Sequence, residues 1–403
     1  MSKRSELEEF LCRVPRSFGV QWPDGSSRNF GSGDPTFHLH LTSEEAYDPF
    51  LSGNELNIVE AYVAEKFDIT GQILDFISAR QWIRDAHTIG RKIRFLLSFL
   101  NPVATNKRAI GRHYDAEGDL QLAFMGKHRV YSHGHFQTGR ETLDEAEEAK
   151  LAHAYDSLGL ESGMRVLDIG GGWGCFPEYA GLRGVRVDSL TISDNSKRYI
   201  ENLIRQHDLP CRVIQCDFLA YQPDEPYDAI VILGVIEHIP QYGYFFEFVN
   251  KYLKPGGRVY VDASASPEKY QMATFIRKYI YPGFASCLYL PEFLKRMMDA
   301  NVIVNALRVE TNDYYWTARR WGENLEAKYL EIVNHWGEAA YRMFRLYLWG
   351  VCNSFRTNEL QAYSVVGTRA PGLAGSVPVF GELAETVGAA VAPRKVREAA
   401  LSV

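Results

Sequence analysis

From about Arg165 onward, the hydrophobic pattern switches between two periods. Short apolar, β-branched runs at Arg165–Ile169, 185–192, 212–216, Tyr227–Leu233 and 257–262 read as strands, and amphipathic stretches such as 196–207 and 242–253 read as helices. Strands and helices in alternation predict an α/β fold, a parallel sheet with helices on both faces. A ligand in such a sheet lies beyond the carboxyl ends of the strands. The residues there are Asp168 to Gly174, Thr191 to Ser193, Asp217 and Phe218, Gly234 to His238, and Asp262 to Ser264. Residues 266–349 interrupt the alternation before a last strand at 360–368. This insertion is rich in apolar and aromatic residues, which suits a lipid-like or prenyl-like substrate better than a sugar or nucleotide.

The first strand runs straight into Asp168-Ile169-Gly170-Gly171-Gly172-Trp173-Gly174. Glycines there let the backbone take positive φ and approach a ligand, and the next helix start offers free N–H groups. A dinucleotide fingerprint would be G-x-G-x-x-G with an acidic residue about twenty positions on. Here the acid, Asp168, precedes the glycines, and the second strand ends in Thr191-Ile192-Ser193. No Gly-Lys-Ser/Thr follows, which argues against a phosphate loop. An acid ahead of the turn suits a ligand with a positive centre and an amino-acid end but no pyrophosphate, as in S-adenosylmethionine. The plain alternative is a strand-turn-helix with structural glycines. Asp217 with Phe218 would suit an adenine, the acid accepting from the amino group and the ring stacking, against the simpler reading of Asp217 as a helix N-cap.

Further segments carry a resemblance. Tyr131-Ser132-His133-Gly134-His135-Phe136, Glu141-Thr142-Leu143-Asp144-Glu145-Ala146-Glu147-Glu148-Ala149-Lys150, the glycine turn, Thr191-Ile192-Ser193 and Glu237-His238 are similar to the cyclopropane-fatty-acyl-phospholipid synthase family of S-adenosylmethionine-dependent methyltransferases, mycolic acid cyclopropane synthases among them. Arg277-Lys278-Tyr279-Ile280-Tyr281-Pro282-Gly283, Asp313-Tyr314, Trp321 and Arg342-Met343-Phe344 extend the likeness through the core. Leu51-Ser52-Gly53, Glu60-Ala61-Tyr62 and Phe67-Asp68-Ile69 resemble the family's small N-terminal domain. The resemblance implies a Rossmann-like class I methyltransferase sheet plus a small N-terminal α+β domain. The expected division is a small domain at 1–83, a basic helical linker at 84–110, the methyltransferase domain at 111–371 with 266–349 covering the substrate, and a loose tail at 372–403.

The resemblance also implies a reaction. In that family a substrate double bond attacks the sulfonium methyl, giving a carbocation, and a base removes a proton from the new methyl to close a cyclopropane. Relatives deliver a methyl or methylene branch, and plant relatives methylate amines. Such a site must exclude water and present π-faces or carboxylates to developing positive charge. Tyr279, Tyr281, Tyr314, Tyr315 and Trp316 are the candidate faces, with core packing as the plain alternative.

Residue by residue, Tyr131, Ser132, Gly170, Gly172 and Thr191 match cofactor-binding positions, and Asp168, Gly174, Ser193, Asp217 and Phe218 complete the expected set. The family's glutamine after the second strand reads Ser196. The family's base is a bicarbonate held by a cysteine, a glutamate, a histidine, a backbone group and a tyrosine. Glu237 and Tyr314 match, but the cysteine position reads His133, the histidine position reads Asp262 and a nearby aliphatic position reads Ser264. Bicarbonate is therefore doubtful, and Asp262 is expected to act as a built-in base beside Glu237, with His133 or His135 as proton relay. The alternative is a local helix cap or a bond to Ser264. His238 joins Glu237 in the other candidate chemistry, deprotonating and orienting an amine. A lipid-binding relative without chemistry is the third reading.

Composition bounds the rest. The chain has 403 residues, is 46% hydrophobic and carries a net charge of -6, so nothing global points to nucleic acid. Six cysteines stand without a Cys-x-x-Cys pair, which argues against a structural zinc or disulfide framework. No metal is expected. No leader-like or bilayer-spanning stretch is evident, so a cytosolic protein with at most peripheral membrane contact is expected. Arg84, Arg91, Lys92, Arg94, Lys107, Arg108 and Arg112, interleaved with apolar residues, are the candidate for that contact, or else pack between domains. A homodimer is a further expectation from the resemblance.

Overall fold

Two separate sheets carry the fold, which the computed structural model describes for residues 2–79, 119–239, 241–270, 272–281 and 285–371. The smaller consists of β1 (Phe18–Gln21), β2 (Ser27–Phe30), β3 (Phe37–Leu41) and β4 (Phe67–Gly71) in the order β2-β1-β3-β4. In β3, Phe37, Leu39 and Leu41 face the core while His38 and His40 alternate outward. Phe18 stacks between Phe30 and Phe37 at 5.3 and 5.1 Å. The helices Lys3–Leu11, Tyr47–Leu51, Glu55–Val63 and Ile73–Ser78 pack on this sheet.

The larger sheet contains β5 (Arg165–Ile169), β6 (Arg186–Thr191), β7 (Arg212–Gln215), β8 (Tyr227–Leu233), β9 (Leu253–Ala265), β10 (Val302–Val309) and β11 (Gln361–Arg369). Their order is β10-β11-β9-β8-β5-β6-β7, all parallel except β11, which runs antiparallel between β9 and β10. Central strands covered on both faces are buried almost throughout, as in β8. The strand order reverses between β5 and β8, so the crevice lies beyond their carboxyl ends. The predicted strands are all present. The expected insertion at 266–349 is narrower than foreseen, because Leu290–Asp299 forms a helix that packs on β10 and β10 rejoins the sheet. β10 escaped the pattern because it is an edge strand exposing Ile303, Leu307 and Val309, so it lacks the buried run that marks its neighbours. The expected basic linker and C-terminal tail fall outside the described residues.

One helix, Leu143–Leu158, fixes the loop that enters the crevice. Its start is sealed by a reciprocal capping box between Thr142 and Glu145. Along one face, Asp144 accepts the backbone N–H of Lys127 at 2.7 Å, and Glu147 accepts those of Gly126 and His128 at 3.0 and 3.1 Å. Lys150, fully buried, donates to the Ser132 hydroxyl and pairs with Asp262 at 2.9 Å. The chain passes this helix at Gly134, where a Cβ would lie 2.8 Å from that of Ala146.

The small domain docks on the helix Glu338–Arg356. Arg342 donates to the carbonyls of Tyr62 and Phe67 at 3.3 and 3.2 Å, and Arg345 to the Tyr62 hydroxyl at 2.8 Å and the Ile69 carbonyl at 3.2 Å. Among the described residues no helix is long and apolar enough to cross a membrane. Lys150→Met, which strands the Asp262 carboxylate in the interior, is expected to cost roughly 3–5 kcal/mol, and pairing it with Asp262→Leu should restore most of that. Denaturant unfolding measures both; a single variant within about 1 kcal/mol of the parent would remove this ion pair from the stability argument.

Candidate functional site

The glycine turn leaves β5 as a cradle. Gly170, Gly172 and Gly174 have φ of 85°, 52° and 78°, which only glycine adopts without strain. The N–H groups of Gly170 and Gly171 bind the Leu190 carbonyl of β6 at 3.0 and 2.8 Å, which locks the turn. A Cβ on Gly171 would strike the Ser189 hydroxyl, whereas one on Gly172 would meet nothing but its own turn and project into open space. Asp168, buried behind the turn, accepts from Ser189 Oγ at 2.6 Å, and burial pushes its carboxyl up to about 7. Gly170 to Trp173, Tyr131, Ser132, Thr191, Ser193, Ser196, Asp217 and Phe218 line one continuous cavity of about 740 Å3; the foreseen Gly174 does not, standing instead as the N-cap of the helix Cys175–Gly181 with Leu203 packed on it. Some of these side chains also have local duties. Ser193 caps the helix Asp194–His207, Ser196 donates to the Gly172 carbonyl at 2.5 Å, and Asp217 accepts from the Leu219 N–H at 2.8 Å. The Asp217 cap foreseen as the plain alternative is therefore present, while its side chain still borders the cavity. A small open cradle beside a buried carboxylate suits S-adenosylmethionine; Asp168, Tyr131 and Ser132 would meet its amino-acid end, and Asp217 with Phe218 its adenine.

Deeper in the cavity stand Glu237, His238, Ser264, Tyr281, Cys287, Tyr314 and Tyr347. Glu237 Oε1 accepts from both the N–H and the hydroxyl of Ser264 at 2.8 Å, while Oε2 is buried without a hydrogen-bond partner. Burial, reinforced by the nearby Asp262 charge, outweighs these bonds and raises the Glu237 carboxyl to about 7. His238 packs edge-on against Tyr281 with ring centroids 5.7 Å apart, and burial lowers it to about 4, so it is neutral at physiological pH. Tyr281 and Tyr347 share a hydroxyl contact of 2.9 Å. Of the foreseen aromatic faces, Tyr281 and Tyr314 line the cavity. Tyr279, Tyr315 and Trp316 do not; Tyr279 donates to Glu60 at 2.8 Å, and Trp316 closes over Gly139.

Asp262 and His133 do not line this cavity. Asp262 is the buried partner of Lys150, and the expectation that it serves as the base gains no support from that position. His133 turns its Nε2 to Glu310 Oε2 at 2.7 Å, while His135 Nε2 meets Glu310 Oε1 at 3.0 Å and Ser364 donates to the same oxygen at 2.7 Å. Two groups through which a bicarbonate would be held are thus committed elsewhere, and the residues present do not fit that anion. Sequence reading missed Glu310 altogether, since nothing local marks a glutamate at the end of an edge strand as buried.

The sequence also foresaw no metal-ligand cluster, yet His133, His135 and Glu310 form one, with ligand atoms all within 4.8 Å. Its contacts are closer than metal ligands stand: His135 and Ser364 hydrogen-bond Glu310 Oε1, and His133 approaches Oε2 at ion-pair distance. Two ligands of a tetrahedral zinc with bonds near 2.0 Å stand about 3.3 Å apart, farther than the contacts seen here. Arg308 donates to His135 Nδ1 at 3.1 Å, which leaves the ring proton on Nε2, facing Glu310. Burial drives His135 down to about 3, consistent with that neutral tautomer. Burial opposes the Glu310 charge, but the facing imidazoles more than offset it and hold the carboxyl far below its usual range.

The helix Glu338–Arg356 contributes Leu346, Tyr347, Gly350, Val351 and Ser354 to the cavity wall. None was singled out from sequence, although their spacing of three and four is the signal of one helical face. The described cysteines are all free.

Comparison with known proteins agrees with this geometry. Residues 102–365 match the model of the mycolic acid cyclopropane synthetase family, and residues 9–86 match a domain family of unknown function. The chain is 25% identical over 330 residues to a sphingolipid C9-methyltransferase of Candida albicans, covering 76% of this chain and 64% of that protein. It thus spans less than two thirds of that relative's length. It is 29% identical over 272 residues to the cyclopropane-fatty-acyl-phospholipid synthase of Escherichia coli, covering 66% and 69% of the two chains. A cyclopropane synthase structure from Mycobacterium tuberculosis superposes with a TM-score of 0.61 at 26% identity, covering 65% of this chain and 98% of that one. With well over half of its length matched and the glycine cradle and Glu237 in one cavity, the chain belongs to the mycolic acid cyclopropane synthetase family of S-adenosylmethionine-dependent methyltransferases.

Proposed function

We propose that this protein is a C-methyltransferase that alkylates a carbon–carbon double bond in a lipid acyl chain through a carbocation, with Glu237 as the base. The observation that carries this reading is the free, buried Oε2 of Glu237 in a cavity that continues into apolar walls. The likeness to enzymes named for sphingolipid and fatty-acyl-phospholipid substrates supports a lipid.

When bound, S-adenosylmethionine supplies an electrophilic methyl group, which the π electrons of the double bond capture as the carbon–sulfur bond breaks toward sulfur. Tyr281 and Tyr347 line the cavity with aromatic rings to stabilise the cation on the substrate, whereas Tyr314 stacks its ring on Phe355. Neutral His238 adds no competing positive charge. The apolar wall keeps out water, which would trap the cation as an alcohol. Glu237 Oε2 then accepts a proton from the added methyl, and the released C–H pair closes a cyclopropane; loss from the methyl-bearing carbon instead leaves a methyl-branched alkene, and a 1,2-hydride shift followed by loss from the methyl leaves a methylene branch. Ser264 holds Oε1 so that Oε2 faces the substrate.

Glu237→Gln is expected to lower kcat by about a hundredfold or more while S-adenosylhomocysteine still binds, and near-parental turnover would sink the assignment. Because the base must be ionised, kcat at saturating cofactor should rise with pH through about 7 and then level off. Ser264→Ala removes a donor that favours the ionised form, so its rising limb should move to higher pH; an unmoved limb would place the titration elsewhere. Mass spectrometry of lipids from a bacterial host carrying the gene reads the reaction itself. Acyl chains that gain one CH2 support it, and a gain confined to amines would overturn it.

A further inference from the structure

The small N-terminal domain is more than a neighbour of the catalytic sheet. Ile58, Val59, Phe67, Phe76 and Ile77, all from that domain, line the same cavity as the glycine cradle and Glu237. The domain adds one charged side chain to the lining, Glu55 at the start of the helix Glu55–Val63. The polar groups that suit a cofactor come instead from the larger sheet, Asp168 and Asp217 at strand ends and Ser196 in the helix that follows β6. One cavity is therefore polar where the sheet builds it and apolar where the small domain does.

The helix Glu338–Arg356 joins the two regions. Near its start, Arg342 and Arg345 hold the small domain through the carbonyls of Tyr62, Phe67 and Ile69. Its stripe of Leu346, Gly350 and Ser354 faces the cavity over a rise of about 12 Å, and Phe355 at its far end stacks on Tyr314 at 4.4 Å. Gly350 sits in the interior of this helix, where glycine is unfavourable. Packing does not explain it, because a Cβ there would meet no atom within 4 Å. Gly322 in a facing helix is the contrast: a Cβ there would lie 2.7 Å from the Trp349 ring. Gly322 is glycine so that two helices can touch; Gly350 leaves room in the cavity.

We propose that Gly350 and the small-domain residues Val59, Phe67 and Ile77 form a tail subsite that reads the length of the substrate's hydrocarbon chain beyond the reacting double bond. This deepens the lipid reading above and rests on it. Each methylene withdrawn from water strengthens binding about fourfold, so a wall that admits or refuses two carbons discriminates by roughly tenfold or more. Such a subsite lets a catalytic domain shared with relatives of other substrates be retuned by the domain docked on it.

The test uses the full chain with Gly350→Leu, which fills the notch, and Ile77→Trp, which advances the small-domain wall, each first checked for unchanged S-adenosylhomocysteine affinity by calorimetry. Vesicles of phosphatidylglycerol with palmitoleoyl or oleoyl chains compete as substrates, and cis-parinaric acid fluorescence reports acyl binding without turnover. Both variants should shift selectivity toward the shorter chain by about tenfold and weaken parinaric acid binding to a similar degree. Parent-like selectivity and parinaric acid binding in both variants would overturn the subsite while leaving the lipid reading intact. If the parent binds parinaric acid but alkylates neither lipid, the lipid reaction fails and weakened binding in the variants still supports the subsite. No parinaric acid binding by the parent overturns the subsite.

Discussion

The buried ion pair between Lys150 and Asp262 holds the site together. Lys150 belongs to the helix Leu143–Leu158, Asp262 to β9, and the ammonium also grips Ser132, so one contact ties a helix, the sheet and the loop entering the crevice. A cation and an anion removed from water are tolerated only when each satisfies the other. That requirement fixes the loop's height over the strand ends. It brings Tyr131 and Ser132 to the glycine cradle and sends His133 and His135 away from the cavity, toward Glu310.

With the surrounding charges neutralised in pairs, Glu237 is left in an unusual position. Asp262 is paired with Lys150 and Glu310 is held by His133, His135 and Ser364, while Glu237 has one oxygen bound and one free. A carboxyl raised to about 7 gains both a strong appetite for protons and a useful ionised fraction near neutral pH. Bicarbonate is disfavoured because the positions that would supply its donors have been given to internal pairs.

The architecture separates what must stay constant from what can vary. The glycine cradle depends on backbone conformation and on bonds to β6, so it admits little change. The apolar wall is contributed by side chains of a separately folded sheet clamped to one helix by two arginines. The side chains there shape the cavity at a distance from the strands that build the glycine cradle.

Legible along the chain were the strands of the parallel core, the glycine turn and the family, because each depends on local period, on glycine's positive φ or on contiguous motifs. Two local readings fell short for opposite reasons. β10 was invisible because an edge strand exposing Ile303, Leu307 and Val309 carries no inside–outside contrast. Asp262 looked like a base because its lysine partner lies more than a hundred residues earlier, and pairing across that distance leaves no trace in either neighbourhood. Only the tertiary structure decided which carboxylates are neutralised and which is free, which aromatic rings face the cavity, and that the small domain walls it. Burial and charge pairing are sums over everything that surrounds a group in space, and a chain read in one dimension records only the neighbours on either side.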